Sequence, residues 1–455
     1  MKALLLNAPS LKINQPAIPP LGLCYIAAVL KKNSFPVDLL DLDLERDKIR
    51  NIREIITSLK PDIVGISGLT LQMESVYAIA KIIKNISKDI IVINGGPHPS
   101  SLPEETLRES SGDIDAVVVG EGEFTFLEIV KNRPWQDIEG LVYYKDGQIY
   151  KNKRRELIPD LNVLPFPARE LLPILQYQGW GPLKRKPSTH LIASRGCPFD
   201  CIYCSEGAVF GKKHRRRNFI SVIDEIELLI KDYGMREVSF YDDLFTLDKG
   251  WVISICKEII KRKINIKWKA LSRVNTVDQE LLTWMKRAGC WMIFYGFESG
   301  SQQILDNIRK NQTIEQGLTA ARLTKKAGID IIAFFIIGNP GETKASVYQT
   351  IKLARRINPE HYQFTIARPD PGSYLYNQYN AEIRAHHVSW DNYYAFTDDP
   401  NKVSTVGTKL NSRELIDLRR LAYMAMRPGS LAKNFVIAML TLNIKRIKQI
   451  LRVLF

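Results

Sequence analysis

The chain has 455 residues, of which 45% are apolar and 25% are charged, and its formal net charge is +15. This composition excludes a largely disordered chain, and the length fits two or three domains of about 150 residues each. No run of about 18 apolar residues is present and the N-terminus lacks a secretory pattern, so we expect a cytoplasmic protein without a membrane span. The positive charge predicts an anionic partner, either nucleic acid, a membrane surface or a phosphorylated substrate.

Short runs rich in Val, Ile and Leu alternate with helical patterns over the first 130 residues, which is typical of buried parallel strands. The predicted strands are Lys2–Asn7, Val37–Asp41, Asp62–Ser67, Ile90–Asn94 and Ala116–Val119, and the predicted helices are Leu21–Lys32, Arg46–Leu59, Met73–Ile86, Pro103–Glu109 and Glu123–Lys131. The alternation predicts an α/β fold in which residues 1–135 form a doubly wound, Rossmann-like (flavodoxin-like) domain. Its ligand is expected at the carboxyl ends of the strands.

Residues 136–187 are rich in proline and are predicted to connect two domains, with a hairpin that turns at Asp146–Gly147. Strand and helix then alternate again. The predicted strands are Thr189–Ser194, Glu237–Tyr241, Lys267–Leu271, Met292–Gly296, Asp330–Ile337 and Tyr362–Ile366. Six such units predict a partial, TIM-type (β/α)6 barrel over residues 188–390. Residues 391–455 are predicted to form a short, basic, helical C-terminal region.

Three of the six cysteines, Cys197, Cys201 and Cys204, lie within eight residues of one another, directly after the first predicted barrel strand. Spacings of four and three allow one loop to place three thiolates around a metal centre. A zinc site needs a fourth ligand, for which His214 is the nearest candidate, whereas a four-iron cluster held by three cysteines keeps one iron open for reaction. The other cysteines, in apolar surroundings, are expected to be buried small side chains.

The CxxxCxxC pattern, with the aromatic Tyr203 before its last cysteine, resembles the signature of the radical S-adenosylmethionine (radical SAM) enzymes. The resemblance implies a [4Fe–4S] cluster on Cys197, Cys201 and Cys204. Its open iron chelates the amino and carboxylate groups of SAM, and electron transfer from it produces a 5′-deoxyadenosyl radical. The resemblance also implies the partial barrel that the strand pattern predicts.

Four further motifs follow predicted barrel strands in the order that the radical SAM family shows. They are Phe240–Asp243, Leu271–Val274, Gly296–Ser301 and Phe335–Thr343. Acidic groups suit the ribose hydroxyls or amino group of SAM, arginine suits its carboxylate, and glycine permits close approach of the adenine. The SAM-binding candidates are therefore Tyr203, Arg273, Glu298, Ser299, Gly338 and Gly341. Asp242 and Asp243 are candidate catalytic residues that face SAM or substrate, although Asp242 can also cap a helix.

Small residues follow three predicted strands of the first domain, in Ser67–Leu69, Gly95–His98 and Gly120–Glu123. In this the domain resembles the cobalamin-binding domain fused in front of one large radical SAM class. The resemblance implies that cobalamin binds to Leu21, Gly22, Ser67, Leu69, Gly95, Gly96, Pro97, His98, Gly120, Glu121 and Gly122. The loop 8–20 contains no histidine, so the cobalt is expected to lack the lower histidine ligand of many cobalamin domains. His98 is an alternative axial ligand, and a Rossmann-like domain without corrin is the alternative for the whole unit.

Over half of the net charge, +8, lies in residues 408–455. The final stretch mixes Leu and Ile with Lys and Arg at helical spacing, which suits either a peripheral membrane contact or a helix packed on the barrel. No nucleic-acid-binding module is recognisable, so no nucleic acid partner is expected. The basic run 212–217 is either a solvated face or a surface that attracts an anionic substrate or electron donor.

These features together predict a cobalamin-dependent radical SAM enzyme, and C-methylation of an unactivated carbon through methylcobalamin is the leading hypothesis. A cyclase or rearrangement enzyme with the same cofactors is the first alternative, and a non-catalytic corrin- or SAM-binding module is the second. The expected partners are a small-molecule or lipid substrate and a reducing electron donor that resembles flavodoxin or ferredoxin. The basic C-terminal helix predicts a peripheral location at the inner face of the membrane.

Overall fold

The computed structural model describes residues 1–10, 17–44, 51–179, 181–386, 389–390 and 396–427. The first sheet contains β1 Ala3–Asn7, β2 Val37–Asp41, β3 Ile63–Ser67, β4 Ile91–Gly95, β5 Ala116–Val118, β6 Leu141–Lys145 and β7 Gln148–Lys151. Its helices are α1 Leu21–Lys32, α2 Ile52–Leu59, α3 Met73–Ile86, α4 Pro97–Ser101, α5 Pro103–Glu109 and α6 Glu123–Val130. The predicted start of α2, at Arg46, lies outside the described residues.

The strand order is β2-β1-β3-β4-β5-β6-β7, and the first five strands are parallel. This is the flavodoxin-like order, so the predicted doubly wound domain is confirmed. The central parallel strands β1, β3, β4 and β5 are buried because helices cover both faces of the sheet, which explains their continuous runs of Val, Ile and Leu.

The hairpin that the sequence places in the connecting segment belongs to the first sheet. Strand β6 pairs antiparallel with β5, and β7 pairs with β6. Asp146 and Gly147 both have positive φ, at 50° and 76°, as a tight two-residue hairpin turn requires. The sheet therefore continues to Lys151, because β6 buries Leu141, Val142 and Tyr143.

The second half contains β8 Ser188–Leu191, β9 Ser194–Arg195, β10 Arg215–Arg216, β11 Glu237–Phe240, β12 Lys267–Ser272, β13 Cys290–Glu298, β14 Asp330–Ile337 and β15 His361–Ile366. Its helices are α7 Phe219–Tyr233, α8 Lys249–Lys261, α9 Gln279–Arg287, α10 Gln302–Asn307, α11 Ile314–Lys326, α12 Lys344–Ile357, α13 Tyr374–His386 and α14 Ser412–Met426. Six parallel strands in the order β8-β11-β12-β13-β14-β15 form the predicted partial barrel.

The first predicted barrel strand, Thr189–Ser194, is divided in two. The backbone N–H groups of Ala193 and Ser194 donate to the Asp242 carboxylate instead of to a neighbouring strand. The chain then enters the separate ribbon of β9 and β10, which pairs Arg195 with Arg215. This break turns the chain out of the barrel just before the cysteine motif.

The chain beyond the barrel packs on both domains. Tyr376, Ile383 and Trp390 join the hydrophobic cluster of the first domain. Helix α14 covers the edge strand β15, where the Tyr423 hydroxyl accepts the Phe364 N–H at 3.1 Å. The basic segment 428–455, on which the membrane prediction depends, lies outside the described residues. Within the described ranges, no helix is long and apolar enough to cross a bilayer.

Candidate active site

The cysteine loop leaves β9 through a glycine that no other residue can replace without distortion. Gly196 has a φ of +87°, and a Cβ at this position would overlap the backbone carbonyl oxygen of Lys213. Its N–H donates to Asp243 Oδ2 at 2.9 Å. Strand β10 and the Asp243 carboxylate therefore fix the backbone immediately before Cys197.

The three cysteines of the motif are free thiols that lie close enough to affect one another. Desolvation raises the pKa of the Cys197 and Cys204 thiols, that of Cys204 to about 12, and nearby acidic groups and sulfurs of the loop make smaller contributions to this rise. In the described part of the chain, no three His, Cys, Asp or Glu side chains converge on a single-ion position. The CxxxCxxC spacing suits an iron–sulfur cluster, because each cysteine of a cluster binds a different iron.

Cys204 and Tyr241 lie near the Glu206 carboxylate beside the cysteine loop, and its charge adds to the rise in the pKa of both groups. All three side chains are accessible to solvent, with Tyr241 38% exposed. Surrounding protein nevertheless raises the pKa of Glu206 to about 8 and that of Tyr241 to about 12 by desolvation. Glu206 also shares a hydrogen bond with Asp243.

Arg273, at the end of β12, lies against the cysteine loop. Its guanidinium stacks on the Phe199 ring, with 3.7 Å from Cζ to the ring centroid, and Nη1 donates to Cys201 Sγ at 3.4 Å. Nη2 donates to the backbone oxygen of Lys310. The predicted SAM-binding arginine is thus within hydrogen-bonding distance of the sulfur of a predicted cluster ligand.

Glu298 ends β13 in an unusual backbone conformation, with a φ of +62° at a bulge in the pairing with β14. Its Oε1 accepts hydrogen bonds from Lys310 Nζ at 2.7 Å and from the Tyr203 hydroxyl at 3.0 Å. Gly296 makes room for this contact, because a Cβ there would overlap the Glu298 carboxylate. Lys310 was missed by the sequence reasoning, since no local pattern connects it with a residue twelve positions away.

Ser299, Gly338 and Gly341 contact protein groups in this structure. The Ser299 hydroxyl lies 3.2 Å from the Thr350 hydroxyl on α12. Gly338 packs against Leu415 of α14, and the Gly341 N–H donates to the Gly407 oxygen at 2.8 Å. Their predicted contacts with SAM stay predictions.

The loop that holds both glycines is organised by Glu342, which the sequence reasoning also missed. Its Oε2 accepts the N–H groups of Gly338 and Asn339, at 2.7 and 3.0 Å. Burial raises the pKa of this carboxyl to about 7.

The two candidate catalytic aspartates support the backbone of the cysteine loop. Asp242 is buried and its Oδ1 accepts hydrogen bonds from the Ala193 N–H and from the Ser194 N–H and hydroxyl. Burial raises the pKa of Asp242 to about 7 despite these bonds. Asp243 binds Gly196, as described above, and shares a hydrogen bond with Glu206.

Several of the predicted cobalamin residues meet at the carboxyl edge of the first sheet. Ser67 and Gly95 are paired in register, and Gly96, with a φ of +113°, lies against the Gly68 backbone. Leu69 is 54% exposed at this edge, and Pro97 begins α4. These small residues leave the backbone open to a large flat ligand.

The remaining predicted cobalamin residues divide between exposed and buried positions. Leu21 is buried and Gly22 is exposed in the first turn of α1. Gly120 donates its N–H to the Ser100 hydroxyl, and Gly122 packs on α1.

His98 and Glu121 point into the protein. His98 is 1% exposed, between the Thr70 hydroxyl and the Trp390 ring. Both oxygens of the Glu121 carboxylate bind groups outside the first sheet, including Arg195 and Arg215.

The carboxyl edge of the first sheet faces the cysteine loop. A Cβ at Gly120 would lie 3.8 Å from the Val209 oxygen. Gly372, in the loop after β15, fits between Ser101 of α4 and Ala208. The Arg154 guanidinium donates to the Ala208 oxygen at 2.5 Å. The predicted corrin edge and the predicted cluster loop are therefore neighbours. The three thiols of the loop fit an iron–sulfur cluster, and the small residues of the sheet edge fit a large flat corrin.

Two protein families match the chain, one for each half. The B12 binding domain family matches residues 15–130, and the Radical SAM superfamily matches residues 191–354. An uncharacterized methyltransferase of Pyrococcus horikoshii is 38% identical over 422 residues, which cover 91% of this chain and 90% of that protein. The anaerobic magnesium-protoporphyrin IX monomethyl ester cyclase of Rubrivivax gelatinosus is 32% identical over 379 residues, which cover 80% and 67% respectively.

The fold is shared with a solved structure of the same architecture. The radical S-adenosylmethionine methyltransferase TsrM from Kitasatospora setae, with cobalamin and a [4Fe–4S] cluster bound, superposes with a TM-score of 0.73 at 18% identity. The match covers 94% of this chain and 90% of that chain. The chain belongs to the cobalamin-binding radical SAM enzymes, a methyltransferase-like family whose cofactors are a [4Fe–4S] cluster, SAM and cobalamin.

Proposed function

We propose that this enzyme methylates an unactivated carbon atom of a small-molecule substrate. The observation that carries the proposal is the juxtaposition of the cysteine loop and the carboxyl edge of the first sheet, where Gly120 approaches Val209 and Gly372 lies between Ser101 and Ala208. When bound, the cluster and SAM supply a 5′-deoxyadenosyl radical that removes hydrogen, and the cobalamin supplies the methyl group. Both must act on one carbon, which requires a single enclosed space.

The chain's own residues bind and orient these groups. Cys197, Cys201 and Cys204 hold the cluster, and Arg273 beside Cys201 binds the SAM carboxylate through its remaining N–H donors. Glu298 accepts from SAM hydroxyl or amino groups, and Lys310 and Tyr203 fix the direction of its carboxylate. Asp243 and Asp242 hold the loop on which the cluster is carried, so the proposal assigns them a supporting part.

On the first domain, Ser67, Leu69, Gly95 and Gly96 line the surface for the corrin. His98 lies between Thr70 and Trp390, so we assign it to the wall of this site and propose a cobalt without a histidine ligand. Glu121 takes no cofactor, because its carboxylate is occupied by arginines of the second domain.

Cyclisation without methyl transfer is the second candidate, favoured by the 32% identity with the magnesium-protoporphyrin cyclase. The reconstituted enzyme, supplied with methyl-labelled SAM and a metabolite extract, distinguishes the two. Label in a new product, together with 5′-deoxyadenosine, supports methylation. Label that stays in methionine and unreacted SAM, with 5′-deoxyadenosine formed, refutes it in favour of cyclisation or rearrangement. A parent protein that forms no more 5′-deoxyadenosine than Cys201→Ala would be a non-catalytic binding module.

We further propose a low-potential electron donor resembling flavodoxin or ferredoxin and, from the basic C-terminal segment alone, a lipid substrate met at a membrane surface. Flotation with anionic liposomes, comparing the full chain with one that ends at residue 427, tests the second point. Equal flotation of both proteins would refute it.

A further inference from the structure

Four buried charged residues join the two domains directly behind the cysteine loop. Arg195 donates from Nη1 to Glu121 at 2.7 Å and from Nη2 to Glu123 at 2.6 Å. Arg215 Nη1 donates to the other oxygen of Glu121, also at 2.7 Å. All four side chains are at most 5% exposed. We call Glu121, Glu123, Arg195 and Arg215 the interdomain latch.

The charges of the latch balance, and aromatic rings pack against it. Two carboxylates balance two guanidinium groups, so no net charge is buried. The Arg195 guanidinium also lies between two aromatic rings, 5.1 Å from the centroid of Tyr25 and 5.0 Å from that of Phe210. The second Glu121 oxygen accepts the Ile158 N–H at 2.8 Å, which completes its hydrogen bonding. Such a network of buried ion pairs favours one arrangement, because a shift leaves a buried charge without its partner.

The position of the latch gives it a geometric consequence. Glu121 and Glu123 directly follow β5, beside the predicted corrin surface, and Tyr25 lies on α1 of the same domain. Arg195 stands two residues before Cys197, and Phe210 lies in the loop that the cysteines begin. Apolar contacts allow sliding, whereas planar guanidinium–carboxylate pairs fix both distance and direction.

We propose that the interdomain latch positions the cluster loop relative to the corrin surface, and that Glu121, Glu123, Arg195 and Arg215 are positioning residues for the reaction. The inference rests on the proposed function, since it requires both cofactors in one protein. In this proposal the Gly120–Glu123 turn fixes the relative position of the two domains, whereas the sequence analysis predicted that Glu121 binds a cofactor. Neither carboxylate touches a reacting group.

The test measures geometry, independently of turnover. The anaerobically reconstituted protein is loaded with cob(II)alamin, the cluster is reduced, and the magnetic interaction between the two paramagnets is recorded by electron paramagnetic resonance. Glu121→Gln withdraws negative charge from both arginines, and Glu123→Gln withdraws it from Arg195 alone. We expect a defined interaction in the parent protein, and a weakened, heterogeneous one in both variants, with the larger loss in Glu121→Gln. Iron and cobalamin contents should match the parent.

Glu225→Gln is the matched control. Glu225 is a fully buried carboxylate held by Arg169 and Arg217, neither of which lies in the first domain. The Glu225→Gln variant should lose stability as the latch variants do, and yet keep the magnetic interaction of the parent protein. If Glu121→Gln does not fold, Glu123→Gln decides alone.

The outcomes separate the latch from the proposed function. Parental interaction in Glu123→Gln refutes the latch, and so does loss of cobalamin or iron from a folded Glu123→Gln protein, because a positioning residue leaves both binding sites intact. An equal weakening in Glu225→Gln also refutes it. A parent protein that binds no cobalamin refutes the proposed function, and the latch with it.

Discussion

The ion pair between Lys310 and Glu298 offers a quantitative test of the barrel site. The Nζ–Oε1 distance is 2.7 Å and both side chains are 7% exposed. Substituting Lys310 by Met leaves the carboxylate buried with the Tyr203 hydroxyl as its remaining partner. Removing one member of a buried pair costs about 3–5 kcal/mol. Since one hydrogen bond remains, we expect the unfolding free energy of Lys310→Met to fall by about 3 kcal/mol.

A double-mutant cycle separates this cost from general damage to the core. Replacing both partners of a buried pair by neutral residues is often close to neutral, so Lys310→Met with Glu298→Gln should be more stable than Lys310→Met alone, by about 2 kcal/mol. Urea unfolding of the metal-free protein, followed by circular dichroism, measures these differences. The double variant should recover stability and still bind SAM more weakly, because its carboxylate is gone.

Lys249→Met is the matched control for burial. Lys249 forms a pair of nearly the same length with Asp278, at 2.6 Å, but both side chains are exposed by about two fifths or more. Exposed ion pairs contribute little to the free energy of unfolding, so this variant should have the same urea midpoint as the parent protein. A loss below about 1 kcal/mol in Lys310→Met, or a double variant less stable than Lys310→Met, would contradict the reasoning.

Three further predictions concern the loop carboxylate, the cysteine loop and the edge strand. The buried Glu342 carboxyl has its pKa raised from 4.5 to about 7, so the folded state retains a proton that the unfolded state loses and stability falls as the pH rises between these values. Between pH 5 and 8, the urea midpoint of the parent should therefore fall relative to that of Glu342→Gln. If the two midpoints change with pH in parallel, the ionisation of Glu342 is not the cause. Gly196→Ala should lose iron after reconstitution because its Cβ overlaps the Lys213 oxygen, whereas Gly147→Ala, also at positive φ but with no atom within 4 Å, should retain it; equal iron contents would count against the loop geometry. Tyr423→Phe deprives the Phe364 N–H of its acceptor at a cost of about 1–3 kcal/mol, measured as a lower urea midpoint than that of the half-exposed control Tyr150→Phe, and equal midpoints would refute it.

Local patterns were sufficient for the five parallel strands of the first sheet and for the approximate bounds of the six barrel strands. Helices α1, α3 and α5 and strands β2 and β14 have the predicted bounds, because the apolar period of a buried strand or an amphipathic helix is written in consecutive residues. The division of the first barrel strand escaped this reasoning. Its cause is the Asp242 side chain, which lies almost fifty residues away and withdraws two backbone N–H groups from pairing.

The sequence by itself determined the two α/β domains and the cysteine motif, since each of these depends on residue type at short spacing. Only the tertiary structure decided the partners of the charged residues. Lys310 meets Glu298, and Glu121 meets Arg195 and Arg215, across separations that no periodic pattern encodes. A buried charge must find an opposite charge wherever the fold supplies one, and that position is known only when the two sheets and the loops between them are in place.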